Sequence, residues 1–224
     1  MMAERPPELH RLPAVTLRQQ LRNKLAAQDF AETDLRIGAF SLAMLERLRE
    51  LCPPQPTRAA VLIPLVDRGE ELTVLLTHRA NDLKHHAGQI SFPGGRLELG
   101  DSDAVAAALR ETEEEIGLRR EFIEVIGRLP DHVVVSGYRV TPIVGLVRPG
   151  FELVLDPTEV SGTFEAPLRH LFDPATHVRR LHRIGDQELE VLDLPWGGHN
   201  IWGATAGMLL TLMEVLGGTA SHAD

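Results

Sequence analysis

Phe92-Pro93-Gly94-Gly95-Arg96-Leu97-Glu98-Leu99-Gly100-Asp101-Ser102-Asp103-Ala104-Val105-Ala106-Ala107-Ala108-Leu109-Arg110-Glu111-Thr112-Glu113-Glu114-Glu115-Ile116-Gly117-Leu118 opens on a glycine turn and runs into a helix. Asp101, Ser102 and Asp103 suit a helix N-terminus, where side-chain oxygens cap free N–H groups and acids favour the dipole. Ala104 to Leu109 is a strong helix former, and Gly117 stands where a terminating C′ glycine belongs. At ~100° per residue, Val105, Leu109, Thr112 and Ile116 share one narrow face, expected to pack on a sheet. Glu111, Glu114 and Glu115 are related as i, i+3 and i+4, so their side chains converge. Such like charges cost an isolated helix about 0.2–0.5 kcal/mol per pair. A hard divalent cation, Mg²⁺ or Mn²⁺, held by carboxylate oxygens accounts for the cluster. A merely acidic, solvated helix face is the plainer alternative.

The segment before the helix favours the cation. At Gly94-Gly95 the backbone can approach a ligand closely. Arg110 can pair with an acid of the preceding loop, Glu98 or Asp101, and lock loop to helix.

Outward from this segment, Thr16 is expected to cap a helix reaching about Ala27, with Arg18, Arg22 and Lys24 forming a solvated face. A second helix is predicted over Ser41–Leu51, ended by Cys52-Pro-Pro-Gln-Pro56. The apolar runs Ala59–Val66 and Leu72–Thr77 flank a short Gly-containing turn and predict a hairpin. Ile90–Phe92, Phe122–Leu129, His132–Val134, Arg139–Val147, Phe151–Leu155 and Leu181–Leu192 read as strands. A short helix is expected over Pro157–Phe164 and a last one over Ala204–Leu216, ended by Gly217-Gly218. Strands mixed with helices predict an α/β domain.

The chain has 224 residues, 43% hydrophobic and 25% charged, enough for a sizeable core. Lys and Arg total 23 against 32 Asp and Glu, for a net charge of −9. Bulk charge therefore disfavours nucleic acid, and an anionic substrate needs a local basic patch. One cysteine, Cys52, excludes an intramolecular disulfide and a cysteine-rich zinc site. No apolar run reaches the ~20 residues of a membrane helix. Glu4, Pro6, Pro7 and Glu8 stand where a signal peptide would be apolar. A soluble cytoplasmic protein is expected, with no membrane partner; homodimerisation is left open.

Gly95 through Leu118 resembles a Nudix box. The second half, Arg110-Glu111-Thr112-Glu113-Glu114-Glu115-Ile116-Gly117-Leu118, departs from the family pattern only at Thr112. In the first half, Asp101 falls where the pattern has Glu, and the box is one residue longer. Upstream, Leu75-Leu-Thr-His-Arg79-Ala-Asn-Asp-Leu-Lys84-His-His-Ala-Gly88-Gln-Ile-Ser-Phe92 resembles the signature of Nudix coenzyme A diphosphatases, with Ala80 for its Ser and Lys84 for its second Arg. That branch tends to carry the longer box with an Asp. Gly137-Tyr138-Arg-Val-Thr-Pro142 and Ile201-Trp202-Gly-Ala-Thr-Ala206 look like the same branch.

The resemblance implies an α/β/α sandwich around a mixed sheet (residues 54–218) behind an N-terminal helical extension (1–53). It implies hydrolysis of a coenzyme A-like diphosphate to 3′,5′-ADP and 4′-phosphopantetheine or its acyl form. Glu111, Glu114, Glu115 and Gly94 then form the metal site, with Arg110 beside them in catalysis. Arg79, Lys84, Gly88 and Phe92 contact substrate, and Glu159 is a further candidate acid outside the box. Rival readings are a Nudix hydrolase of ADP-ribose or a nucleotide sugar, and a non-catalytic Nudix binding module. Three repelling acids argue against the latter. Trp202 and Tyr138 read as core residues before base-stacking ones.

Overall fold

The computed structural model describes residues 8–28, 30, 34–36, 55–80, 88–184 and 187–218. The helix expected over Ser41–Leu51, and Lys84, lie outside them. The strands are β1 (Leu35–Arg36), β2 (Thr57–Asp67), β3 (Leu72–Arg79), β4 (Ile90–Ser91), β5 (Gly94–Arg96), β6 (Ile123–Arg128), β7 (Asp131–Val134), β8 (Tyr138–Val147), β9 (Val160–Pro167), β10 (Val178–Ile184), β11 (Gln187–Trp196) and β12 (His199–Ile201). The α-helices are α1 (Ala14–Ala26), α2 (Ala104–Ile116), α3 (Leu168–Leu171) and α4 (Gly203–Val215).

β2 is the spine of a mixed sheet. One edge runs parallel to β8 from Thr57↔Tyr138 to Val66↔Val147. The other edge is divided: Leu65–Asp67 pair with β3, and Ala59–Val61 pair with β5. β9 covers the outer edge of β3, so β4 pairs with β3 on the side facing β2. β2 and β3 thus splay, and the glycine turn at Pro93 enters the opening. Pro64 falls between the two pairings, where its missing N–H interrupts neither.

Both faces of the sheet are covered. Ala60, Leu62 and Ile143 pack against Ala107, Ala108 and Leu109 of α2. On the other face Ile63, Leu65 and Val144 share a core with Leu17, Leu21 and Leu25 of α1 and Leu209 and Leu212 of α4. This is the expected sandwich of helices about a mixed sheet. A separate antiparallel sheet of β10, β11 and β12 flanks it.

Four expectations need correction. α1 begins at Ala14 after Pro13, with no side-chain cap, so Thr16 lies inside it. Of its expected solvated face, Arg22 and Lys24 are exposed but Arg18 is half-buried: Arg18 pairs with Asp67 at 2.5 Å, while Arg22 reaches Glu124 at 2.7 Å across the surface. Phe151–Leu155 is not a strand. Its alternate apolar residues Phe151, Leu153 and Leu155 pack near Ile116 and Leu118, but its backbone serves the end of α2. Val154 N–H donates to Ile116 and Asp156 N–H to Glu115, at 3.0 and 2.9 Å, satisfying carbonyls a helix leaves free. Pro157–Phe164 is not a helix. Asp156 Oδ1 accepts from the Thr158 N–H and hydroxyl, forming a turn that releases the chain into β9.

Candidate active site

Asp103 Oδ1 accepts from Ala106 N–H and starts α2; Gly117, in the left-handed region at φ 68°, ends it. Between these stops, Ala107, Ala108, Leu109, Thr112 and Ile116 are buried, as the apolar face requires. The acidic side is graded rather than uniform. Side-chain exposure is 59% for Glu114, 15% for Glu111 and 3% for Glu115.

Glu115 points into the opening between the splayed strands. Its Oε2 accepts from Gly94 N–H at 3.1 Å, and Arg79 Nη1 stands 3.9 Å from Oε1. Burial pushes its carboxyl up to about 8, opposed by the Gly94 N–H and Arg79, while Glu159 and Glu111 push the same way. Burial also raises Glu111, opposed by Arg110 and reinforced by Glu114 and Glu159. Glu159, exposed at the turn before β9, is therefore electrostatically coupled to both. A Cβ at Gly95 would lie 2.4 Å from the Glu111 carboxylate. The bare backbone at Gly95 makes room for that acid.

Arg110 binds Asp101 through Nε–Oδ1 and Nη2–Oδ2, both 3.0 Å, and also donates to Glu111 at 3.0 Å, Glu114 at 2.9 Å and the Arg96 carbonyl at 3.2 Å. The Arg110 bonds hold Asp101 below the usual carboxylate range. Glu98 contributes its backbone N–H to Asp101 Oδ2 at 2.9 Å. Between the two acids the sequence left open, Arg110 meets the side chain of Asp101.

The upstream segment reaches the same place. Gly88 N–H donates to the Arg79 carbonyl and Arg79 N–H to that of Gln89, closing the loop beside Arg79. A cavity of about 380 Å³ begins at Gly94 and Arg79 and extends over Phe92, Tyr138, Trp202 and Met208. Phe92 lines it from a buried position; Gly88 is not among its walls. Val133–Ser136, Arg183 and Met208 also line it and were missed, since no spacing ties them to the box. Tyr138 Oη accepts from Arg96 at 2.7 and 3.1 Å, and Trp202 stacks on His182.

A family model for the NUDIX domain matches residues 56–187. The chain belongs to the Nudix family. Among Nudix relatives, one from Klebsiella pneumoniae (strain 342) named uncharacterized Nudix hydrolase NudL is 40% identical over 177 residues, 75% of this chain and 91% of that protein. One of the same name from Escherichia coli (strain K12) is 42% identical over 165 residues, covering 71% and 83%. The solved MutT/nudix family protein from Enterococcus faecalis is 17% identical and covers 79% of this chain and 75% of its own, with a TM-score of 0.46. Nudix hydrolases act on small nucleotide derivatives and generally use divalent metal ions. Among the described residues no helix is long and apolar enough to cross a membrane.

The donor chemistry here suits such an ion. Glu111, Glu114 and Glu115 offer hard oxygens, and burial raises the two less exposed carboxyls even with Arg110 and Arg79 beside them. Among the described residues no three acidic or histidine side chains are gathered tightly enough to chelate one ion. Arg110 holds Glu111 and Glu114 to one side, and Gly94 holds Glu115.

Proposed function

We propose that this Nudix hydrolase cleaves the diphosphate of coenzyme A or its derivatives, adding water to give 3′,5′-ADP and 4′-phosphopantetheine or its acyl form. The observation that carries this reading is the position of Arg79. The segment that resembles the coenzyme A signature delivers this guanidinium to 3.9 Å from the buried Glu115 and onto the rim of the cavity. A phosphate donor is thus next to the carboxylate cluster, at the mouth of a space large enough for a small ligand.

Glu111, Glu114 and Glu115, with the backbone at Gly94, are the groups to hold Mg²⁺ or Mn²⁺. When bound, the ion supplies Lewis-acid charge to the phosphoryl oxygens. Arg110 and Asp101 keep the glycine turn registered against α2, so that Gly94 and Glu115 stay in contact. Gly95 leaves room for Glu111. In this reading Arg79 neutralises and orients the diphosphate, and Glu159, electrostatically coupled to Glu111 and Glu115, is the candidate to accept a proton.

The test is product analysis on coenzyme A, ADP-ribose and a dinucleotide with Mg²⁺ and with Mn²⁺. The reading expects equimolar 3′,5′-ADP and 4′-phosphopantetheine and the highest kcat/KM on coenzyme A. Preferred cleavage of ADP-ribose overturns the coenzyme A assignment while leaving the hydrolase.

A further inference from the structure

Behind the cavity wall lies a carboxylate that the box does not use. Asp193 on β11 is fully buried. Its Oδ1 is hydrogen-bonded to His182 Nε2 at 2.8 Å, its Oδ2 accepts from Asn200 Nδ2 at 2.7 Å, and Arg180 Nε stands 3.7 Å away. The His182 ring lies flat against Trp202, with centroids 4.2 Å apart and planes 9° apart. Trp202 in turn lines the cavity together with Gly94 and Arg79.

A buried carboxylate is tolerated only when its hydrogen bonds are made, so Asp193 restricts the orientation of the imidazole. Stacking passes that restriction to the indole. Trp202 is the N-cap residue of α4, in extended backbone, and its indole makes no capping hydrogen bond to the helix. Its ring orientation rests on what packs against it.

We propose that His182 and Asp193 are positioning residues for substrate binding: they hold Trp202 as a rigid wall of the cavity beside Gly94, and so set KM rather than the bond-breaking step. The inference rests on substrate occupying that cavity, and it extends the site to a sheet that carries none of the box.

The experiment measures kcat and KM on coenzyme A and on ADP-ribose with Mn²⁺, alongside melting temperature, for two variants. His182→Gln keeps an N–H donor for Asp193 but removes the ring. His182→Phe keeps a ring against Trp202 but removes the anchor. An aromatic contact of this kind is worth roughly 3- to 10-fold, so each variant should raise KM by about that factor with kcat within about twofold. A purely structural role would lower the active fraction, and hence kcat, without moving KM. Unchanged KM in either folded variant, or a fall in kcat alone, overturns the proposal. If the parent enzyme cleaves only ADP-ribose, the coenzyme A reading fails and the KM comparison is made on ADP-ribose.

Discussion

Arg110 grips Asp101 through two hydrogen bonds of 3.0 Å, and the same guanidinium reaches Glu111 and Glu114. One cation thus ties the glycine turn to the helix and separates acids that would otherwise repel. Arg110→Ala should lower both melting temperature and activity, the latter by at least ~10-fold in kcat/KM. Asp101→Asn should do likewise, whereas Glu98→Gln should be nearly silent because only the Glu98 backbone takes part. Thermal melts and steady-state kinetics on the three variants check this; a damaging Glu98→Gln contradicts it.

Gly95→Ala gives a sharper separation of fold from activity. The new methyl meets the Glu111 carboxylate at 2.4 Å, and that carboxylate ends a flexible side chain, so it can swing aside. Melting should change little, while displacement of Glu111 should lower kcat by about 10²-fold if the acid serves the metal site. Equal activity at equal stability would place Glu111 outside the chemistry.

Arg79→Ala addresses substrate contact. The guanidinium of Arg79 stands 3.9 Å from Glu115, and the proposed reading puts the diphosphate beside it. A charged hydrogen bond is worth about 1.5–3 kcal/mol, so kcat/KM should fall roughly 10- to 150-fold, equally on coenzyme A and dephospho-coenzyme A. A loss confined to coenzyme A would move the contact to the 3′-phosphate.

Stability should depend on pH through His132. It is fully buried, with its ring between the Pro130 carbonyl and the Thr211 hydroxyl, and burial lowers its pKa to about 4. The unfolded chain binds this proton near pH 6.5 and the folded chain only near 4, so stability is intact above pH 6.5 and falls as pH drops through that window. By pH 5 the loss is roughly 2 kcal/mol. Glu115, pushed up to about 8, gains stability over the same window, so the effect is read as a difference between enzymes: in denaturant melts at pH 7 and 5 the parent should lose about 2 kcal/mol relative to His132→Gln, and parallel pH dependence would contradict this.

Much of this was legible in the chain because it is local. The Asp103 cap, the Gly117 stop, the alanine run and the three glutamates all lie within one helix, where spacing alone fixes which side chains share a face. The hairpin of β2 and β3 was legible for the same reason. Phe151–Leu155 misled because alternating apolar residues signal burial on one side, which edge-on packing against the end of α2 supplies without any partner strand. The cavity was hidden because its walls come from β4, β7, β10 and α4, far apart in sequence. Nor could spacing reveal the unequal burial of Glu111, Glu114 and Glu115, which depends on where the sheet splays.

The most direct measurement of the central claim is the turnover of coenzyme A by Glu115→Gln beside the parent enzyme, with Mg²⁺, read as release of 3′,5′-ADP. Glu115 already favours its neutral form in this burial, so the amide should leave the melting temperature unchanged or higher. An amide cannot become the carboxylate that a bound cation would call for, so kcat should fall by at least ~10²-fold. A folded Glu115→Gln enzyme that releases 3′,5′-ADP at the parent rate would contradict the assignment of diphosphate cleavage to this carboxylate cluster.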